Sequence, residues 1–237
     1  MNQTFFSIII PSHNEEKYIS ATLDRIKQLS YPKSLFEALV IENGSTDKTK
    51  EIALTYADDN INIYVSDKGV SKAKNYGLSK ISERSDWVIL LDADTLLEKS
   101  FLEELNLFFS DKDTQKLSVG TTDVLPAGDQ SVKARLWYKF YNFGHKLTKS
   151  SYSIQILKSS LKDKLKFDES IQFGEDLKLI KEARQFGKFF YIETRSVRTS
   201  TRRFDNVGYF RQFILWNYEA LILSRTRKKN REYKVIR

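Results

Sequence analysis

Cysteine is absent from the 237 residues, and histidine occurs only at His13 and His145. Disulfides and thiolate–metal sites are thereby excluded, and the composition fits a reducing compartment. Proline occurs three times and glycine nine times, with no Pro/Gly/Ser-rich linker, repeat or low-complexity tract. A single domain, 1–237, is therefore expected, with a first half (1–97), a second half (98–206) and a C-terminal segment (207–237). No Gly-x-Gly-x-x-Gly follows the first strand-like run and no Gly-Lys-Ser/Thr occurs anywhere. Both absences argue against dinucleotide oxidoreductases and P-loop nucleotidases. The opening Met1-Asn2-Gln3-Thr4 lacks a basic and then apolar leader pattern, so no secretory signal is expected. The longest apolar-rich run near the C-terminus, 213–223, is too short to span a bilayer.

Hydrophobic residues make up 41% and aromatics 13%, enough for an ordered core. The net charge of +8 is confined to one end: 198–237 carries eleven Lys/Arg against three Asp/Glu, and the remainder balances. A basic end on a neutral body suits phosphate-bearing partners.

Two segment types alternate through the first half. Apolar runs at Phe6–Ile10, Ala38–Ile41, Ile61–Val65 and Trp87–Leu91 read as strands. Between them, Glu16–Leu29, Asp47–Ala57 and Ser71–Ile81 carry helical spacing, the first with Ile19, Leu23 and Ile26 on one stripe. This alternation predicts βαβ units in an α/β fold with a doubly wound, mostly parallel sheet flanked by helices. The second half predicts strands at Ser118–Val124, Ser153–Leu157 and Lys188–Ile192. Helices are expected there at Val132–Leu147, Glu175–Phe186 and Val207–Ser224.

In such sheets ligands bind beyond the carboxyl ends of the strands. The loops there are Pro11-Ser12-His13-Asn14-Glu15, Glu42-Asn43-Gly44-Ser45, Asp67-Lys68-Gly69 and Asp92-Ala93-Asp94, all polar. Asp92 and Asp94 close a buried strand with two carboxylates. Hard cations such as Mg²⁺ or Mn²⁺ take oxygen ligands of this kind and share them with substrate phosphates. Taken alone, the pair fits metal binding or the capping of a following helix equally well. Glu175 and Asp176 likewise fit either chemistry or the positive end of a helix dipole.

In combination these motifs resemble family 2 glycosyltransferases of the GT-A fold, in particular small, non-processive bacterial members. The resemblance runs in order through Ser7–Glu16, Val40–Thr49, Gly69-Val70-Ser71-Lys72-Ala73-Lys74-Asn75-Tyr76-Gly77, Asp92–Asp94, Phe167-Asp168-Glu169 and Gly174-Glu175-Asp176. It implies that Pro11, Asn14 and Glu15 shape the base and ribose pocket, with Glu42 where the family often has aspartate. Lys74 stands in place of an arginine near the diphosphate, keeping the charge without the bidentate fork. Asp92 and Asp94 match the metal and diphosphate motif. Asp176 matches the base that takes a proton from the acceptor hydroxyl, with inversion at the sugar.

Thr199-Ser200-Thr201-Arg202-Arg203-Phe204 resembles a Ser-x-Arg-Arg-Phe motif, which implies Arg202 or Arg203 at the diphosphate; a solvated basic turn is the alternative. Lys164-Leu165-Lys166 replaces the usual Gly-Gly, and no C-terminal histidine offers a further metal ligand. The implied reaction moves a sugar from a nucleotide diphosphate donor, UDP-linked by family habit, to a glycan or lipid-linked acceptor. The alternatives are a silent nucleotide-sugar-binding scaffold and a sugar-phosphate nucleotidyltransferase, though the latter would need a Gly-rich loop after the first strand.

The apolar, aromatic helix expected at 207–224 runs into the basic stretch 225–231. Such a pairing suits either a core helix with a solvated tail or peripheral contact with an anionic membrane at its cytoplasmic face. No nucleic-acid motif accompanies the basic end, and no nucleic-acid partner is expected.

Overall fold

The computed structural model describes residues 3–151, 153–171, 174–209 and 211. β1 (Phe6–Ser12), β2 (Phe36–Glu42), β3 (Ile61–Val65) and β4 (Trp87–Leu91) are its first four strands, with α1 (Ile19–Lys27), α2 (Thr49–Leu54) and α3 (Val70–Lys80) between them. The second half contributes β5 (Thr95–Leu97), α4 (Phe101–Ser110), β6 (Leu117–Thr122), β7 (Leu125–Pro126), α5 (Val132–Thr148) and β8 (Ile154–Lys158). It continues with α6 (Glu175–Ala183), β9 (Lys188–Ile192), β10 (Val197–Thr199) and α7 (Arg202–Val207).

Seven strands form one sheet in the order β3-β2-β1-β4-β8-β6-β9. β1 to β4 are parallel, β8 runs antiparallel to β4 and β6, and β9 lies parallel to β6. The expected doubly wound, mostly parallel sheet is borne out. The central strands β1 and β4 are buried on both faces, which is why they read as near-continuous apolar runs. Alternation then divides the core. Ile8, Ile10, Val40 and Ile89 pack with α1 and α4 on one face, while Ile9, Leu39, Ile41 and Leu90 pack with α3 and α6 on the other.

α3 lies so close to the sheet that a Cβ on Gly77 would stand 2.5 Å from Ile9 Cγ2 and 3.3 Å from Ile41 Cγ1. Both neighbours are fully buried. Gly77→Ala is expected to destabilise by about 1–3 kcal/mol despite alanine's better helix propensity, because a close-packed core gives way poorly. Chemical denaturation checks this, and an unchanged midpoint would mean α3 moves out freely.

Several elements differ from expectation. α4 was not anticipated; Ser100 with Glu103 and Glu104 in the first turn was the available signal. A small second sheet, β5-β10-β7, also escaped the sequence reading, because strands of two or three residues carry no readable period. α7 ends at Val207, where the expected helix began, because Gly208 at φ 87° breaks it. Residues 210 and 212–237, which carry the rest of that expected helix and the basic stretch, lie outside the described residues. Among the described residues no helix is long and apolar enough to cross a membrane.

Candidate active site

The strand pairings open a crevice. β1 stays in register with β2 through Ser12↔Glu42, but its pairing with β4 stops at Ile9↔Leu90. Pro11, with no N–H for a ladder, lies past the last β1–β4 pair. Strand order reverses here, so the loops after β1 and β4 flank the switch point where ligands of such sheets sit.

On the β1 side, Asn14 adopts a positive φ of 55° and ties two loops together. Its side-chain oxygen accepts from the Thr46 amide at 2.7 Å, and its own amide donates to Ser45 Oγ at 3.0 Å. Glu42 is 3% exposed and accepts from the Ser45 amide, closing the turn after β2 from inside. Asn43 donates to the Ser12 carbonyl at 2.9 Å. Asn14 and Glu42 thus make the shape of the cleft wall as much as its lining.

On the β4 side, Asp92 and Asp94 do not cap a helix. β5 follows at Thr95, and the helix beyond it takes Ser100 as its cap. The Asp94 carboxylate lies 3.1 Å from the Arg202 guanidinium. Arg202 also forks onto Glu15, at 2.7 and 2.8 Å, and its guanidinium sits 4.6 Å from the Tyr18 ring centre. One arginine from α7 therefore joins the β1 and β4 loops across the crevice, and the bidentate geometry fixes its plane. Arg203 follows in α7; its side chain lies outside the described residues.

Deeper in, Lys74 from α3 is 2% exposed. Its ammonium donates to Asp176 at 2.6 Å and Glu175 at 3.3 Å, and lies 5.0 Å from the Phe167 ring centre. Burial alone would push the Lys74 ammonium down, but the carboxylates of Asp176, Glu175 and Asp92 hold it above its ordinary value, so it stays charged. Burial pushes the Asp176 carboxyl up to about 7, with Glu175 adding to the rise and Lys74 opposing it. Gly174, at φ 84° and ψ 15°, makes the left-handed turn that starts α6 with these two acids in its first turn. Lys74 thus stands among Asp92, Asp176 and Glu175, linking the strand-end carboxylates to the helix-borne pair.

The sequence profile described as Glycosyl transferase family 2 matches residues 7–160, a span that holds Lys74, Asp92 and Asp94. The chain belongs to glycosyltransferase family 2. The minor teichoic acid biosynthesis protein GgaA of Bacillus subtilis is 30% identical over 220 residues, covering 78% of this chain and 46% of that protein. A dolichyl N-acetyl-α-D-glucosaminyl phosphate diacetamido-dideoxy-glucuronosyltransferase of Methanococcus voltae is 30% identical over 204 residues, covering 75% of this chain and 62% of that protein. The chain thus spans less than two thirds of the length of these relatives.

Among solved structures, Staphylococcus aureus TarS 1–349 with UDP-GlcNAc superimposes with a TM-score of 0.66 at 22% identity, over 84% of this chain and 59% of that one. Glucosyl-3-phosphoglycerate synthase of Mycobacterium tuberculosis, with Mg²⁺ and UDP, gives 0.59 at 17% identity over 92% and 79%. The family 2 chain has the GT-A fold.

No group of three or more His, Cys, Asp or Glu among the described residues forms a metal cage. Two strand-end carboxylates fit a different mode, in which a hard cation is held jointly by protein carboxylates and a ligand's phosphate oxygens. The donor set therefore suits Mg²⁺ or Mn²⁺ arriving with a diphosphate. Sequence reasoning missed the Glu15–Arg202–Asp94 bridge and the burial of Lys74 between acids. The order of charged residues along a chain gives no sign of pairs 187 and 102 positions apart.

Proposed function

We propose that the protein is an inverting glycosyltransferase that moves a sugar from a nucleotide diphosphate donor, UDP-linked, to an acceptor hydroxyl. The observation that carries this reading is the buried Asp176, held against Lys74 and raised towards neutrality, in an electrostatic cluster with Asp92. A carboxylate with this affinity for a proton is matched to general-base work near pH 7. Asp176 takes the acceptor's proton as the hydroxyl oxygen bonds to the anomeric carbon, and the carbon–phosphate-oxygen bond breaks to release the nucleoside diphosphate. When bound by Asp92 and Asp94 with the donor's phosphates, Mg²⁺ or Mn²⁺ supplies charge neutralisation for that leaving group.

Pro11, Asn14, Glu15 and Glu42 are assigned to the base and ribose pocket, and Arg202 with Arg203 to the departing diphosphate. The donor class is supported by the TarS and glucosyl-3-phosphoglycerate synthase complexes with uridine nucleotides. A lipid-linked or polymer acceptor is supported by relatives named for teichoic acid biosynthesis and for a dolichyl-phosphate-linked sugar.

Thermal melts against UDP, GDP, CDP and dTDP, with and without Mn²⁺, test the donor site. UDP at 100 times its Kd is expected to add about 2.7 kcal/mol, a shift of roughly 5–10 °C, and to do so only with metal. Asp94→Ala should lose that shift. If no nucleotide moves the melt, or the variant responds like the wild type, the donor-site assignment fails.

A further inference from the structure

The geometry points to α5 as a lipid-binding surface: its outward face is built to lie on an anionic bilayer. Val132, Leu136, Phe140, Phe143 and Leu147 are 72%, 61%, 53%, 64% and 71% exposed. They are half of the exposed large hydrophobic side chains among the described residues, and all stand on one helix. At 100° per residue they fall within an 80° sector, a single stripe along the helix. Isolated exposed apolar residues are ordinary on protein surfaces; a continuous stripe of this kind marks an interaction face.

Charge identifies the occupant. The 17 residues of α5 hold four Lys/Arg and no Asp or Glu. Lys139, Lys146 and Arg135 run along one margin of the stripe and Lys133 along the other, all exposed. Lys146 pairs with Glu193, and Lys133 lies 5.5 Å from the Tyr209 ring centre; both remain at the margin. An apolar stripe bordered by basic side chains is what an in-plane helix presents to lipid tails and anionic headgroups. A copy of the same surface would bring like charges together along both margins.

The opposite face of α5 anchors the helix firmly to the protein. Ala134 and Tyr138 are buried there, the Tyr138 hydroxyl donates to the Ser200 carbonyl at 3.5 Å, and the Tyr138 and Trp137 rings contact Phe204. Ser200 and Phe204 flank Arg202, so a bilayer under α5 lies one helix away from the Arg202–Asp94 pair. This inference does not depend on the transferase reading, since it concerns adsorption alone.

The cysteine-free chain allows a direct test with an environment-sensitive thiol dye on full-length Phe143→Cys and, as a control, on Lys50→Cys, whose exposed side chain lies on α2. With vesicles of phosphatidylglycerol and phosphatidylcholine, the label at 143 is expected to shift to the blue and the label at 50 to stay unchanged. Pure phosphatidylcholine should give at least a tenfold weaker response. In co-sedimentation, Phe143→Gln/Leu147→Gln is expected to bind anionic vesicles at least tenfold less than the wild type, with an unchanged melt. The proposal is overturned if the label at 143 does not respond, or if the double variant binds like the wild type, which would place the contact elsewhere, such as in 212–237. It is equally overturned if the variant lowers the melting temperature or converts a dimer to a monomer while wild-type protein ignores vesicles, since the face would then be an internal or copy–copy contact.

Discussion

Asp176→Asn is expected to lower kcat by about 10²–10⁴-fold while leaving UDP and metal binding intact, which is the signature of a lost general base. The wild-type kcat/KM for the donor, which reports the free enzyme, should fall with decreasing pH below about 7, where burial has pushed the Asp176 carboxyl. The same shift has a stability consequence of definite sign. A carboxyl raised above its unfolded value of 3.8 keeps its proton longer in the folded chain. Its contribution is therefore present in acid and is lost as pH rises through about 7. Asparagine does not titrate, so the stability of Asp176→Asn relative to wild type should rise as pH increases from about 4 to 7, on top of a pH-independent cost of taking one carboxylate partner from Lys74. Pre-steady-state sugar transfer across pH, with melts of both proteins, checks the two limbs together. Retention of a tenth or more of wild-type kcat would remove Asp176 from the base role, whatever the melts show.

The first half of this chain was legible because β1, β2 and β4 are buried at nearly every residue and therefore largely apolar, with only the edge strand β3 partly exposed. Ile61–Val65 and Trp87–Leu91 occupy the residues their composition indicates, Phe6–Ile10 extends to Ser12 at the polar ligand edge, and Ala38–Ile41 extends back to Phe36 and on to Glu42. The position of Asp92 and Asp94 at that edge followed directly. What periodicity could not convey is which distant charges meet. Glu15 was read as a pocket residue, yet its carboxylate is held by Arg202; Lys74 was placed at the diphosphate, yet its ammonium is directed at Asp176 and Glu175. Those pairings depend on α3, α6 and α7 converging on one sheet edge, a tertiary fact. The stripe of Val132, Leu136, Phe140, Phe143 and Leu147 on α5 was not read from the sequence, which does not say which apolar side chains of that helix pack inward.

Lys74→Met provides the largest expected change in stability. The side chain is 3% exposed and faces two carboxylates whose side chains are 8% and 11% exposed, so solvent screens little. Removing one partner of a buried ion pair leaves uncompensated charge, at a cost of about 3–5 kcal/mol. For a chain of this size that corresponds to a fall in melting temperature of roughly 6–20 °C. The wild-type Lys74 is raised above its ordinary value of 10.5, so its stabilising effect is fully present below that pH and is lost only in stronger alkali. The deficit of the variant should shrink as pH falls towards about 7, because without the ammonium the buried Asp176 takes its proton at a higher pH than in the wild type. Adding Asp176→Asn to Lys74→Met should restore part of the loss, since the second substitution removes the stranded charge; a coupling of about 1–3 kcal/mol in the double-mutant cycle measures the pair. If Lys74 instead serves chiefly as a diphosphate contact, Lys74→Met will melt like the wild type at every pH and raise the donor KM. The cycle will then show no coupling to Asp176.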